Sequence, residues 1–523
     1  MTYDDIVVGA GSSGAVLAAR LSEDRDRSVL LLEAGPDYRT IDETPNDLLR
    51  SSISFAGHDW GWAAHATRQR EIPLCRGKVT GGSSAINASV AIRGVPADFD
   101  QWAALGNDQW SFQKVLPFHR KLEHDADFGG DVHGKGGPIW IERPKPSNWH
   151  PTVSAFYAAC RAMGFADAPD FNDPESTGVG PCARNLRDGI RISTAIAYLA
   201  PARRRLNLTI RGGCLANRIV IEDGRAVGVE VEAGGEVHRA YGKRITLSAG
   251  AFASPAILMR SGIGPRAELE RHGIRTLVDA PGVGANLIDH PQVMMLAELS
   301  RDAIQRSEGT DHSRWSVLLR YTAAGSKEFN DMQFHLIPIF DWTLVPGFPV
   351  EPGTPPMLLA FPGLQRPRSR GRLSLRSLDP ADQPNIDLNY FADPEDMRRM
   401  IDGLRMGWGI MHQPEVARGW KGQTMGVAGQ VLDQVTVDSN TAITDFILKN
   451  CGTICHPVGT AKMGPDSDKQ AVVDQYCRVR GVEGLRVVDA SVMPNIVRAN
   501  TNLTCIMIGE RVAEWMRKEA RRL

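Results

Sequence analysis

No stretch of this 523-residue chain approaches the ~20 consecutive apolar residues that a membrane-crossing helix needs. There is no surplus of charge of either sign: 60 Lys and Arg stand against 61 Asp and Glu, a net charge of −1. The positive field with which proteins hold nucleic acid is therefore missing. The start, Met1-Thr2-Tyr3-Asp4-Asp5, lacks the basic and apolar character of a secretory leader, so a cytoplasmic protein is expected. Cysteine is sparse and dispersed, with eight residues at 75, 160, 182, 214, 451, 455, 477 and 505. That scatter fits reduced structural thiols rather than a disulfide framework. Cys451 and Cys455 precede His456, but no second ligand pair lies near, and no metal site is expected. Internal repeats and low-complexity linkers are also missing. Glycine, by contrast, is in excess at 52 residues, about one in ten against the usual ~7%. Without repeats, that excess points to tight turns and close approach of backbone to a ligand.

Residues 3–8 (YDDIVV) end in β-branched residues and run directly into Gly9-Ala10-Gly11-Ser12-Ser13-Gly14. AVLAARL then reads as an amphipathic helix, and SVLLL (28–32) as a second buried strand ending at Glu33. Strand, GxGxxG, helix, strand and an acid about 20 residues on is the order of a dinucleotide-binding unit. Gly9 permits the tight turn, Gly11 removes a side chain where a pyrophosphate approaches, and Gly14 lets helix and strand pack closely. The helix N-terminus offers free N–H groups and the positive end of its dipole. Glu33 can accept hydrogen bonds from ribose hydroxyls. The unit alone does not choose FAD from NAD; its place at the start of a chain of this length leans to FAD.

Four further blocks follow: RGKVTGGSSAIN (76–87), AGAFASPAILMRSGIGP (249–265), HPVGTAKMG (456–464) and VVDASVMPNIVRANTN (487–502). GGSS sets small residues beside backbone N–H groups, a cradle for pyrophosphate or a flavin edge, or an ordinary glycine loop. SPAILMRSGIGP reads as a mostly core helix ended by Gly262 and Pro265. VVDAS reads as a buried strand ending at Asp489, an acid suited to ribitol or phosphate-side hydroxyls. The last block leads into a long apolar helix with Asn and Thr at its start, the residues that cap helices.

Together with the N-terminal unit, these blocks run in order from residue 3 to about 515 and resemble the glucose–methanol–choline (GMC) oxidoreductase family of FAD-dependent alcohol oxidases and dehydrogenases. The resemblance implies a mixed α/β (α+β) fold. A Rossmann-like FAD-binding domain would use residues 1–145, 192–295 and 456–523. An inserted antiparallel-sheet substrate-binding domain would use 146–191 and 296–455. MQFHLIPIF (332–340) and GRLSLRS (371–377) are expected as strands of that inserted sheet. Carried over residue by residue, the resemblance implies that Gly9, Gly11, Ser12, Ser13 and Gly14 meet the pyrophosphate. Glu33 and Ala34 would meet the adenosine side, and Ala216 the adenine. Val79, Asn87, Ala88, Ser89 and Val90 would line the isoalloxazine. Asp489, Ala490, Asn500 and Thr501 would close the other side. Some relatives bind FAD covalently through a His just before the Asn of this GGSSxxN block. Ile86 stands there, so non-covalent FAD is expected.

Oxidising an alcohol needs a base for the hydroxyl proton and a hydride acceptor over the carbinol carbon. His456 suits the first task, since an ordinary imidazole titrates near ~6.5. In the family pattern HPxGTxxMG the leading His faces the flavin N5. The family's second active-site position falls on Asn500, whose amide can support a developing alkoxide or cap the final helix. The other twelve histidines, His290 and His335 among them, sit in no readable motif and are assigned to surface or core. Trp60 and Trp62 either line a substrate entrance or pack in the core.

DFDQWAALGNDQW (98–110), VHGKGGPI (132–139) and RANTNL (498–503) are similar to blocks of bacterial family members that oxidise primary alcohols attached to a ring. The expected substrate is an aryl or heteroaryl primary alcohol, with O₂ or another carrier as electron acceptor. Choline or another aliphatic alcohol is the alternative, and a hydroxynitrile lyase on the same fold a second.

Overall fold

The computed structural model describes residues 2–50, 57–305, 315–341 and 355–520. Two large sheets carry the fold, and the first has a parallel centre. Thr2–Val8 pairs in parallel with Val29–Leu32 on one side and with the second half of Glu236–Leu247 on the other. Leu208–Arg211 extends this centre beyond Val29–Leu32, and Leu485–Val487 extends it beside residues 245–247. Parallel strands are covered on both faces and so read as unbroken apolar runs. Val29–Leu32 obeys this, being buried at every position. Between the parallel strands the chain makes an antiparallel excursion through Cys214–Glu222, Arg225–Ala233 and the first half of Glu236–Leu247.

The carboxyl ends of Thr2–Val8 and Val29–Leu32 open together, because Val8 lies opposite Leu32 in the register. In an open parallel sheet that edge forms the ligand crevice. Helix Gly14–Leu21 starts there, and the C-terminal helix Thr501–Ala520 packs along it. Arg20 holds Glu510 at 2.7 Å, and the Ser13 hydroxyl donates to the Cys505 carbonyl at 2.8 Å. Two helix starts from opposite ends of the chain thus meet at one crevice.

The second sheet is antiparallel throughout its described pairings. Its order is Val431–Leu432, Trp420–Met425, Met295–Leu299, Met357–Leu364, Met332–Phe340, Val317–Tyr321 and Gly178–Pro181, with Pro291–Val293 and Cys451–Thr453 joined alongside. Side chains of a strand alternate between faces. In Met332–Phe340, Phe334 packs against Phe156, while His335 and Ile337 turn to the opposite face. A register shift between Ile337 and Phe340 returns Phe340 to the face of His335.

GRLSLRS departs from its expected place. Only Arg372–Ser374 is a strand, and it pairs with Asn385–Asp387 in a four-stranded sheet with Trp62–Thr67 and Arg70–Leu74. Leu373 is buried opposite Ile386, whereas Arg372 is exposed. The single apolar position found a partner in a small sheet rather than in the fully covered roof. The SPAILMR helix runs Gly250–Arg260, and Gly262 ends it with a left-handed φ of +83°.

Beside the separate two-stranded sheet of Glu123–Asp125 and Ile139–Ile141, His133 is clamped by three carboxylates. Its Nε2 lies 2.9 Å from Asp170, and its Nδ1 lies 3.2 Å from both Glu123 and Asp125. Arg143 grips Asp125 and Asp170 in turn, and Arg93 lies 3.7 Å from Glu123. Glu123, Asp125 and His133 stand close enough together to hold a metal ion. Two guanidinium groups and a protonated imidazole already balance the three carboxylates. Burial pulls the His133 pKa down, but hydrogen bonds to Asp125, Asp170 and Glu123 outweigh it and hold the imidazole at about 10. The folded value exceeds the unfolded one, so the stabilisation is complete below about pH 6.5 and is lost as pH rises toward 10. His133→Gln is therefore expected to cost about 3 kcal/mol at pH 6, with the gap to the parent closing toward pH 10 in denaturant unfolding.

Candidate active site

One continuous cavity runs from the glycine loop, past the start of the C-terminal helix, to the inner face of the antiparallel sheet. At one end lie Gly9, Gly11, Ser12, Ser13, Glu33, Ala34 and Ala216. Asn87, Ala88, Val90, Asp489, Ala490, Asn500, Thr501 and His456 line its middle. Three of the expected cofactor residues stand back from it. Gly14 packs under the loop, where a Cβ would sit 1.9 Å from the Gly9 carbonyl oxygen. Val79 is buried in a small cluster with Leu48, Ala85 and Ile86. Ser89 adopts a positive φ of 59°, does not line the cavity, and donates its backbone N–H to Asn87 Oδ1 at 2.9 Å.

The loop geometry suits a dinucleotide. The GGSS block folds back onto GxGxxG: Gly81 N–H donates to the Ala10 carbonyl at 2.8 Å, and a Cβ on Gly82 would meet Gly11 Cα at 2.7 Å. Two glycine backbones therefore face one another across the crevice with no side chain between them. Glu33 accepts the N–H groups of Ala10 and Gly35, each at 2.9 Å, one on each oxygen. A carboxylate has about four acceptor positions, so capacity remains for ribose hydroxyls. Burial pushes its pKa up to about 7 against the N–H bonds of Gly35, Ala10 and Ala34. Asp489 behaves otherwise. Oδ2 accepts from Gly250 N–H and the Ser254 hydroxyl, and Oδ1 accepts from the backbone N–H and hydroxyl of Ser491. Its acceptor positions are taken, so it shapes the wall rather than reaching for a ribitol. Ile86 lines the cavity and offers no nucleophile for a covalent flavin bond.

His456 and Asn500 come together although 44 positions separate them: Asn500 Nδ2 lies 3.1 Å from His456 Nε2. Burial lowers the His456 pKa well below the usual imidazole range, and the charge of Arg76 lowers it further. The imidazole is therefore neutral at pH 7 and ready to accept a proton. The kcat/KM of the free enzyme is expected to stay within about twofold between pH 6.5 and 8, its acid limb displaced below 6.5. A limb centred on pH 6.5 would show that His456 titrates as an ordinary histidine.

The residues that hold His456 carry no motif of their own. Asp289 Oδ1 accepts the backbone N–H of His456 at 2.7 Å and of His290 at 2.8 Å. Its Oδ2 accepts from Tyr390 and Thr453. His290 Nδ1 lies 2.9 Å from His456 Nδ1. Arg76, from the RGK block, donates to the Cys455 carbonyl at 2.6 Å. Beyond His456 the wall turns aromatic. His335 stacks on Phe361 with centroids 4.9 Å apart, and Trp315 stands edge-on to both. Met294, Ile337, Phe340, Leu359 and Val427 complete this apolar end. Trp62 and Trp60 also reach the cavity, packed together at 5.0 Å.

A dinucleotide crevice opening onto a buried His–Asn pair under an antiparallel roof has clear counterparts. The sequence profiles of the GMC oxidoreductase family match residues 3–292 and 367–509. The chain belongs to that family: it is a FAD-dependent enzyme of the alcohol oxidase and dehydrogenase type. It is 36% identical to choline oxidase from Arthrobacter globiformis over 531 residues, covering 98% of this chain and 94% of the relative. It is 33% identical to oxygen-dependent choline dehydrogenase from Vibrio vulnificus over 545 residues, covering 98% and 94%. Among solved structures, pyridoxine 4-oxidase from Mesorbium loti superposes with a TM-score of 0.88 at 30% identity, covering 99% of both chains.

Proposed function

We propose that the enzyme oxidises a primary alcohol carried on an aromatic or heteroaromatic ring to the aldehyde. FAD, when bound, supplies the hydride acceptor. His456 Nε2 takes the hydroxyl proton, and the Asn500 amide steadies the charge left on the oxygen. The glycine loop, Glu33, and the backbone around Ala490 and Thr501 are the residues suited to hold the cofactor. The proposed division of labour gives the parallel-sheet segments to FAD and the antiparallel roof to the alcohol.

The observation that carries the substrate class is the wall of Trp315, His335 and Phe361. Aromatic faces and edges favour another ring by about 0.5–1.5 kcal/mol beyond burial of area. Burial holds His335 at about 3, so it meets a substrate as a neutral ring. Aromatic faces also attract a quaternary ammonium, so what separates the two substrates is whether a carboxylate stands beside the wall to balance the charge. Among the described residues, the acids lining the cavity are Glu33, Asp382 and Asp489. The first sits at the glycine loop, the second accepts from Ser377, and the third is saturated. Choline remains the second reading, favoured by the relatives named above.

Trp315→Ala tests the wall. For benzyl alcohol and hydroxymethylfurfural, KM is expected to rise about tenfold, the equivalent of 1.4 kcal/mol, with kcat changed far less. Unchanged KM for both ring alcohols, together with better turnover of choline than of either, would overturn the ring assignment.

A further inference from the structure

A neutral imidazole has two tautomers, and only one leaves His456 Nε2 bare where Asn500 meets it. The neighbouring ring decides between them. His290 Nε2 lies 3.1 Å from the carbonyl oxygen of Gln365. A carbonyl oxygen cannot donate, so this Nε2 carries a hydrogen. His290 is completely buried. Burial, helped by Arg366 and opposed by the carbonyls of Gln365 and Val497, brings its pKa down to about 3, so the ring keeps a single hydrogen. Its Nδ1 is then bare and lies 2.9 Å from His456 Nδ1. The two rings stand perpendicular, at 89°. Two bare nitrogens at that separation repel, so His456 Nδ1 brings the hydrogen between them. Neutral His456 is left with its lone pair on Nε2, facing the Asn500 amide.

We propose that His290 is a positioning residue which, anchored on the Gln365 carbonyl, holds His456 as the Nδ1–H tautomer and aims the basic Nε2 into the cavity. The proposal rests on the reading of His456 as the base. The orienting partner is a neutral ring and not a carboxylate. The nearby carboxylate, Asp289, binds the backbone N–H groups of both histidines and leaves the ring-to-ring contact to His290. One carbonyl oxygen thereby dictates, through two rings, which nitrogen can take a proton. In a serine triad, a wrongly held tautomer costs about 10⁴-fold in kcat, which gives the scale of what such a partner can control.

The test is the ¹⁵N spectrum of the histidine-labelled, FAD-loaded enzyme at pH 7.5, with the His456 signals assigned by their loss in His456→Asn. The expected result is a protonated Nδ1 and a bare, pyridine-type Nε2. His290→Leu removes the acceptor; that pattern is expected to disappear, and flavin reduction to slow on the order of 10²-fold with substrate affinity little changed. His290→Asn keeps an acceptor oxygen near the Nδ1 position and is expected to restore the pattern and most of the rate. A parent spectrum with the hydrogen on Nε2 overturns the proposal, and needs no variant to fold. So does a His290→Leu enzyme that keeps both the Nδ1–H pattern and the parent rate. The expected spectrum in an enzyme that no alcohol reduces would support the tautomer assignment while removing the alcohol reading, so the two failures are distinguishable.

Discussion

His456→Ala is expected to leave FAD bound and to slow the bleaching of the flavin by an alcohol about 10²–10⁴-fold, or 3–5 kcal/mol of barrier. The reasons lie in how the residue is held. Its backbone N–H is bound by Asp289, and that bond survives the substitution. The glycine loop, Glu33 and the start of the C-terminal helix are untouched. What disappears is the one imidazole that faces Asn500 at 3.1 Å and is neutral at working pH. Stopped-flow absorbance under anaerobic conditions separates the two effects, since the visible spectrum before mixing reports loading and its decay reports the chemistry. Decay at the parent rate would remove His456 from the mechanism.

Gly14→Val is expected to abolish loading rather than chemistry. A Cβ there would sit 1.9 Å from the Gly9 carbonyl oxygen and 3.0 Å from Ser248 Cβ. The first of these is backbone and cannot rotate away, so the helix must lift off the strand. That lift carries away the helix N–H groups that a pyrophosphate needs. Overpacking of this kind costs about 1–3 kcal/mol, and cofactor affinity is expected to fall at least tenfold. The ratio of visible to ultraviolet absorbance in the purified protein measures it. A variant that purifies with the parent's flavin content would show that the close packing of Gly14 is dispensable.

Much of this architecture was legible in the sequence because the legible parts are local. The strand, glycine loop, helix, strand and acid of residues 2–33 follow from periodicity and turn chemistry alone, and GGSS announces a second bare backbone. His456 and Asn500 are singled out by the family resemblance, and the structure sets them 3.1 Å apart. The parts that sequence left hidden depend on contacts between distant segments. Asp289 and His290 lie more than 160 positions before His456, in a stretch whose only local signal is an Asp-His pair before proline. The aromatic wall is assembled from two strands and from Trp315, just ahead of a third, and alternation along a strand does not say which face meets a ligand. Val79 reads as a flavin neighbour by position, yet its side chain turns into a small apolar cluster with Leu48, Ala85 and Ile86. Asp489 reads from the sequence as a buried acid; that four donors of its own neighbourhood consume it is a tertiary fact.

The most direct measurement is anaerobic mixing of the FAD-loaded enzyme with hydroxymethylfurfural, benzyl and cinnamyl alcohols, pyridoxine and choline, followed by visible absorbance and then by admission of air. Fast bleaching by the ring-bearing primary alcohols, with choline slow or inert, is the predicted result; recolouring in air would make O₂ the acceptor, and persistent bleaching another carrier. Fast bleaching by choline alone, or none by any alcohol with FAD bound, would contradict it.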